Sequence, residues 1–282
     1  MTARKWIERE VSTFDKFIEF AESYYPRLTW APPLFFRGQP NAEYNLVPSL
    51  LRIVGADSRQ NALAMEKVLG EEFVAQASLF PETAAVWSAL KDGDNTERWA
   101  MMQHHGCPTR LLDWTGSPYV AAYFAVEQQL DHDGAVFMIH PGSFVPELAP
   151  GTSKDVPTDD PSLPPRVIAS CPDIRSRRVV AQQGHFTFNT HIAEPHDEAI
   201  LEAHARDGWE HAAVKIVIPA AAKTVFLSHL RVMNVAAHSL FPTLDGLGRS
   251  LGEMARIQIA AMPELKAIQE KHAGAAKPGG AS

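Results

Sequence analysis

Hydrophobic and polar residues alternate along most of this chain with the periods of helices and short strands. Apolar runs typical of buried strands occur at residues 34–36 and 134–139, and residues 214–218, which are apolar apart from Lys215, also predict a strand. A further short apolar element is predicted at 46–52, and a strand-turn-strand passage at 176–188. Apolar positions three or four residues apart predict amphipathic helices in these segments: 4–25, 60–80, 84–90, 96–103, 195–205, 220–230 and 243–262.

The irregular order of these elements favours an α+β fold. The strands and helices lack the regular βαβ alternation of a Rossmann sheet, so we expect one or more small mixed sheets with several packed helices. We divide the chain into an N-terminal helix within residues 1–30, a main domain over 31–262 and a flexible tail over 263–282. Residues 141–165 are rich in Pro, Asp, Ser and Thr and have no periodicity, which predicts a loop insertion in the main domain.

The chemically reactive side chains concentrate between residues 103 and 127. Ser117 and Pro118 have the types expected for a helix N-cap and first helical residue, because a Ser hydroxyl can accept an unpaired amide and Pro needs no donor there. Polar groups delivered to a helix N-terminus can hold an anion or a phosphate, so this stretch is the candidate site. The polar string before the helix consists of Gln103, His104, His105, Thr109, Arg110, Asp113, Trp114 and Thr115.

Composition and charge narrow the choice of function. The chain of 282 residues has a net charge of −7, which gives no overall basic surface for nucleic acid. Its two cysteines, Cys107 and Cys171, form neither a disulfide framework nor a CxxC zinc pattern. The N-terminus lacks the apolar core of a signal peptide, and no apolar run approaches the roughly 20 residues that span a bilayer. We expect a cytoplasmic protein without membrane contact, with nucleic acid only as an acceptor.

Individual polar residues allow both a structural and a ligand-binding interpretation. Arg37 follows three apolar residues, so it could pair with a carboxylate or use its guanidinium fork to grip a phosphate. Gly38 would then let the backbone pass close to the ligand. Arg110 and Asp113 could pair with each other or contact the ligand. Trp114 offers a flat wall on which a base or a nicotinamide ring could stack.

The adjacent histidines do not predict a metal site. His104 and His105 stand beside Cys107, but neighbouring helical residues point about 100° apart, and no second ligand pair has suitable spacing. A neutral histidine bonded to a ribose hydroxyl or to an Asp fits better, and Cys107 is expected to be a packing residue. The residues alone therefore predict a pocket for a phosphorylated ligand that carries a ring.

Four blocks of the sequence resemble the FRG domain family. Residues 36–39 read Phe-Arg-Gly-Gln, the motif that names the family, and residues 103–125 are similar to its QHxGxPTRLLDWTxSPxxAxYFA signature. Residues 178–187 and 240–247 resemble its third and C-terminal blocks, apart from Thr243, which stands where an acid is common. The resemblance covers most of the main domain and implies a family that occurs in bacterial and phage-related proteins.

The order of the blocks is also similar to that of ADP-ribosyltransferases. That similarity implies a split sheet in which Arg37 holds the phosphates or ribose of NAD, Thr115 belongs to a second motif and Gln183 stands near a third. These transferases carry a Glu in the third motif, whose charge stabilises the oxocarbenium ion as nicotinamide leaves. Because Gln183 is uncharged, Asp113 or an acid outside the motif such as Glu198 would have to supply that charge. Further ligand contacts are implied for Gln39, His105, Arg110, Asp113, Trp114 and Ser117.

The leading expectation is an ADP-ribosyltransferase or NAD glycohydrolase that uses NAD and modifies a macromolecule, in toxin or phage-defence biology. A first alternative is a sensor that binds NAD or ADP-ribose without turnover. A second is a nucleic-acid-cleaving enzyme in which His105, Arg110 and Asp113 act on a phosphodiester, which the acidic composition disfavours. A third is a partner-binding module whose polar blocks only hold the fold together. The sequence names neither the acceptor nor the oligomeric state.

Overall fold

A computed structural model describes residues 4–24, 34–55, 59–80, 83, 87, 90, 95–144, 159, 162–170 and 176–275 of the chain. Seven strands form its sheet: β1 (Ile7–Glu10), β2 (Phe35–Gln39), β3 (Leu111–Thr115), β4 (Gly134–Ile139), β5 (Val167–Ser170), β6 (Gly184–Asn189) and β7 (Val214–Ile218). Ten helices of the described residues surround it: α1 (Phe14–Tyr24), α2 (Ser49–Val54), α3 (Arg59–Ala77), α4 (Asn95–His104), α5 (Pro118–Val126), α6 (Arg177–Ala181), α7 (His196–Asp207), α8 (Lys223–Val232), α9 (Ala237–Leu240) and α10 (Leu244–Ala275).

The seven strands lie side by side in the order β1-β7-β4-β2-β3-β6-β5. Strands β1 and β7 are parallel, and the other neighbouring strands are antiparallel. A Rossmann sheet is instead built from parallel strands joined by helical crossovers. The expected α+β fold with a mixed sheet is therefore confirmed.

Both faces of the sheet are buried against helices. One face packs on α7, and its core includes Trp114 of β3, Phe137 of β4 and Ile200 of α7. The opposite face carries two separate groups of helices. Helices α1, α5 and α8 cover β2, β4 and β7 around Phe36, whereas α4 covers β3, β5 and β6 around Phe188. The boundary between the two groups falls where β2 meets β3.

Two glycines bring α5 into direct contact with the sheet. A β-carbon at Gly38 of β2 would lie 1.9 Å from the carbonyl oxygen of Ala121, and one at Gly134 of β4 would lie 2.2 Å from that of Ala125. Neither position has room for a side chain, so the backbone of α5 rests directly on the two strands. The space that Gly38 provides is taken by α5 and is not left open for a ligand.

Three predicted elements need correction. The helix predicted over 4–25 is wrong for its first part, because Ile7–Glu10 pairs with β7 as a strand and only Phe14–Tyr24 is helical. The strand expected around 179–181 is the short helix α6. Residues 111–115, the last three of which were counted as part of the polar string, form β3. Pairing with distant strands decides the first and third cases, and local periodicity does not report such pairing.

Most of the other predicted elements are confirmed, whereas β5 and α9 were not predicted. Strands β2, β4 and β7 confirm the three strands predicted from apolar runs, and α10 continues beyond its predicted end at residue 262. Residues 84–86 and 88–89 of the helix predicted over 84–90, most of the loop insertion, and residues 276–282 lie outside the described part of the chain. The division into three segments stays a prediction. None of the described helices combines the length and the apolar character that crossing a bilayer requires.

We predict that Gly38→Ala destabilises the protein by about 3 kcal/mol, because the added methyl group overpacks the contact between β2 and α5. Gly252→Ala on α10 is the matched control. A β-carbon at Gly252 meets no atom within 4 Å, so helix propensity should make that variant about 0.5–1 kcal/mol more stable. Urea unfolding of the two variants measures both effects. Equal midpoints for Gly38→Ala and the wild type would contradict the close packing of α5.

We predict that two buried histidines make the protein sensitive to acid. Burial lowers the pKa of His196 to about 3 and that of His204 to about 4. In the folded protein Nε2 of His196 accepts the amide of Asn189 (3.1 Å), and Nε2 of His204 accepts that of His140 (3.0 Å), so both rings are neutral. Below the unfolded pKa of about 6.5, the unfolded chain takes up protons that the folded chain refuses.

The free energy of unfolding should consequently fall as the pH drops below about 6.5, by about 2 kcal/mol per histidine at pH 5. Denaturant titrations at pH 7 and pH 5 measure this loss. The His196→Gln variant should lose about 2 kcal/mol less than the wild type between the two pH values. Val232→Ala, at an exposed position without a titratable group, is the control and should show the pH dependence of the wild type. An unchanged pH dependence in His196→Gln would refute the assignment.

Candidate functional site

The candidate site is a cleft that opens where β2 and β3 separate. All five residues of β2 pair with β4, and all five of β3 pair with β6. Within the described sheet, β2 and β3 share only the pair Phe36–Thr115. Next to that pair lies a cleft of about 860 Å³, lined by β2, the loop that follows it, α2, the end of α5 and Asp113 of β3.

Arg37 spans the gap between the two strands. Its Nη1 donates to the main-chain oxygen of Asp113 at 2.7 Å, so a side chain replaces a missing backbone pair. Its Nε is buried and has no hydrogen-bond partner. Burial lowers the pKa of Arg37, the charge of Asp113 opposes that shift, and the charge of Arg52 adds to it. The guanidinium therefore keeps a buried donor without a protein partner and brings a positive charge to the cleft.

Arg52 is the second cation of the cleft. It lies on α2, and its Nη1 donates to the carbonyl oxygen of Val47 at 3.1 Å. Among the described residues, neither Arg37 nor Arg52 forms an ion pair with a carboxylate. Two guanidinium groups that repel each other and lack a carboxylate partner favour a bound anion, because arginine forks match phosphate oxygens.

Three acidic residues also line the cleft, and they differ in exposure and in ion pairing. Glu43 and Asp113 are exposed. The Asp113 carboxylate acts on the arginines around it, since its charge opposes the lowering of the pKa of both Arg37 and Arg178 by burial. Glu127 is buried and accepts a hydrogen bond from Nη2 of Arg249 at 2.6 Å. The charge of Asp113 thus acts on Arg37, while the charge of Glu127 is neutralised by Arg249.

Residues from the third and C-terminal sequence blocks meet beside the cleft. The guanidinium groups of Arg178 and Arg249 lie 4.8 Å and 4.3 Å from the ring centre of Phe241. Phe241 in turn packs edge-on against Phe124, which lines the cleft (centroids 6.1 Å apart). Burial, the largest single influence, lowers the pKa of Arg249, but its hydrogen bond to Glu127 and the nearby negative charges together raise that pKa above its ordinary value. The segment from α9 to α10 is therefore joined to the cleft wall.

Thr115 is the last residue of β3, and neither it nor Ser117 nor Gln183 is among the residues that line the cleft. The Thr115 hydroxyl donates to the main-chain oxygen of Gln182 (2.7 Å) and accepts the amide of Ser117 (3.0 Å). The amide of Gly116 donates to the oxygen of Gln183, whose φ of 48° is in the left-handed region. These bonds hold the end of β3 against the turn before β6.

The Ser117 prediction is confirmed as a structural one. Its hydroxyl accepts the amide of Val120 at 3.4 Å, and Pro118 is the first residue of α5. Gln39 is buried, and its Nε2 donates to the oxygen of Tyr44 (3.0 Å), so it anchors the loop that borders the cleft. Both residues shape the site, and Gln39 also lines it.

Three residues that were predicted to contact the ligand do not line the cleft. Arg110 is buried and forms a bidentate ion pair with Glu66, at 2.6 Å and 2.5 Å. The sequence had suggested Asp113 or the ligand as its partner. Trp114 is buried, and its indole nitrogen donates to Thr187 (2.8 Å), so its ring is part of the core. His105 is exposed and lines a different, apolar pocket. The nuclease set of His105, Arg110 and Asp113 does not share a pocket.

The apolar pocket near His105 shows no activated nucleophile. It measures about 540 Å³ and is lined mainly by α3, with His105 and Cys107 on its edge. Burial raises the pKa of the Cys107 thiol, which keeps it protonated at neutral pH. Among the described residues, no group of three His, Cys, Asp or Glu side chains is placed to hold a metal ion.

Sequence reasoning missed several residues of the cleft. Tyr44, Arg52 and Glu127 line it, and Arg249 holds Glu127. None belongs to a motif block that was assigned a ligand. The one local signal was the position of Glu127, directly after the apolar run of the signature helix.

The protein has an α+β fold, and a cleft lies between two diverging strands of its described sheet. The family model of the FRG domain matches residues 32–134, a range that includes β2, β3, α5 and the first residue of β4. This match confirms the resemblance to the FRG domain for the motif blocks at 36–39 and 103–125. The blocks at 178–187 and 240–247 lie outside the matched range. No curated protein and no solved structure matches this chain.

We predict that Arg110 contributes to stability through Glu66. The Glu66→Ala variant should lose about 3 kcal/mol, since it leaves a buried guanidinium unpaired. The double variant Glu66→Met with Arg110→Met should recover most of that loss, because it removes both charges together. Lys67→Met is the control, as its ion pair with Glu71 is exposed. Urea unfolding measures all four proteins. A double variant as unstable as Glu66→Ala would contradict the pairing.

Proposed function

We propose that this protein is an ADP-ribosyltransferase-type enzyme that binds NAD in the cleft between β2 and β3 and modifies a macromolecule. The observation that supports this proposal is that Arg37 and Arg52 both line the cleft and that neither forms an ion pair with a carboxylate among the described residues. The cleft volume of about 860 Å³ lies in the range of small-molecule sites. The separation of β2 from β3 also fits the split sheet that the sequence similarity implied.

In the proposed reaction, arginines of the cleft bind the phosphates of NAD and a carboxylate stabilises the cationic ribose. Arg37 and Arg52 would bind the two phosphates, each through charged hydrogen bonds. In the reaction the bond between C1′ of the ribose and nicotinamide breaks, and its electron pair leaves with nicotinamide. The acceptor's nucleophilic atom then bonds to C1′ and releases its proton. A carboxylate close to the cationic ribose stabilises this step.

Asp113 is the acid best placed for that role. It lies on the cleft, is exposed and acts electrostatically on Arg37. Glu198, the other acid considered, is exposed on the first turn of α7 and does not line the cleft. Thr115 and Gln183 enter the proposal as residues that hold the end of β3. The proposed setting, a cytoplasmic toxin or phage-defence protein, rests on the family resemblance.

We predict that the purified wild type binds NAD and releases nicotinamide in the presence of cell lysate. Arg52→Gln should weaken NAD binding about tenfold, because it removes one charged contact worth roughly 1.5 kcal/mol. Asp113→Asn should lower the rate of nicotinamide release about 100-fold and leave the affinity for NAD nearly unchanged. Arg9→Gln, an exposed change on β1, should alter neither. Calorimetry and chromatography of nicotinamide provide the two measurements.

The outcomes separate the proposal from its rivals. NAD binding without nicotinamide release or ADP-ribose on any lysate component would identify a non-catalytic sensor. Absence of NAD binding in the wild type would refute the nucleotide site itself. If expression is toxic to cells and Arg37→Ala leaves that toxicity intact, the toxin setting does not depend on this cleft and is refuted.

A further inference from the structure

An exposed aromatic ring lines the cleft outside every sequence motif. Tyr44 lies in the loop between β2 and α2, and its residue surface is 47% exposed. Trp114, the ring expected to stack on a ligand, is 3% exposed and belongs to the core. Phe124 also lines the cleft but is partly covered by Phe241. Tyr44 is therefore the large aromatic surface that the cleft offers to a planar group.

The loop that carries Tyr44 is held at both ends. Gln39 Nε2 donates to the main-chain oxygen of Tyr44 at 3.0 Å, and the Tyr44 hydroxyl donates to Oε1 of Gln129 at 3.2 Å. The amide of Ala42 donates to the oxygen of Asp133 at 2.7 Å. These bonds connect the loop to the turn between α5 and β4, so the ring has a fixed position before any ligand binds.

A buried lysine also connects the loop after β2 to the turn between α5 and β4. Lys223 of α8 has no exposed surface, and its Nζ donates to the carbonyl oxygens of Pro40 (2.6 Å), Gln129 (2.9 Å) and Gln128 (3.1 Å). All three ammonium protons are thereby used. Gln129 has a φ of 46°, an uncommon conformation for a residue with a side chain. Lys223 thus fixes a strained turn beneath Tyr44.

We propose that Tyr44 is a ligand-binding residue of the cleft, which stacks on a planar heteroaromatic ring of the ligand while Arg37 and Arg52 hold its phosphates. The inference rests on the proposed function, since it concerns the same cleft. NAD carries such a ring at each end, adenine and nicotinamide. Aromatic stacking tolerates any flat ring, and the neighbouring phosphate contacts restrict the choice to nucleotides.

Calorimetric titration with NAD tests the inference through three variants. Tyr44→Leu keeps the apolar bulk and loses the flat ring, so affinity should fall about tenfold. Tyr44→Phe keeps the ring and loses only the hydroxyl contact with Gln129, so affinity should stay within about threefold of the wild type. Phe80→Leu changes an exposed aromatic residue away from the cleft and should have no effect. Folding is checked by thermal unfolding of each variant.

Two further probes identify the stacked ring. ADP-ribose lacks nicotinamide, and nicotinamide mononucleotide lacks adenine. The probe that retains the stacked ring should show the tenfold loss with Tyr44→Leu, and the other probe should not. Wild-type affinity in Tyr44→Leu for NAD and for both probes would overturn the role of Tyr44 while leaving the NAD site intact. If the wild type binds none of the three ligands, the proposed function fails and this inference fails with it.

Discussion

The cleft depends on the single backbone pair that joins β2 to β3. Each strand is fully paired on its other edge, with β4 and with β6, so neither can turn toward the gap without breaking a complete ladder. Helix α5 cannot shift to cover the gap either, because its backbone rests on Gly38 and Gly134. Arg37 bonds the main-chain oxygen of Asp113 and so maintains the gap at a fixed width. The same residue supplies the positive charge.

Most polar side chains between residues 103 and 127 stabilise the fold. Three of them are bonded within the protein: Arg110 to Glu66, Trp114 to Thr187 and Thr115 to the turn before β6. Asp113 is the exception, because strand alternation turns it away from the core that holds Leu112 and Trp114. Most polar residues of this stretch therefore hold the frame together, while Asp113, Phe124 and Glu127 of the same stretch line the cleft.

The parts that sequence predicted well are those decided by neighbouring residues. The cap of α5 needs only Ser117, Pro118 and the amide of Val120, and the apolar run at 134–139 has no alternative to burial. Arg110 was not assigned correctly because its partner is 44 residues away and spacing carries no information about it. The cleft itself joins residues from β2, α2, β3 and α5. Only the assembled sheet brings these elements together.

The charge of the cleft differs from that of the whole chain. A net charge of −7 repels a polyanion, but this field is screened over about 8 Å at physiological salt. Arg37 and Arg52 act over shorter distances on a ligand that has already entered the cleft. A small dianion therefore gains their attraction, whereas a nucleic acid would also have to approach the acidic surface. The neutralisation of Glu127 by Arg249 strengthens this preference, because it removes one of the three negative charges that would otherwise oppose a phosphate.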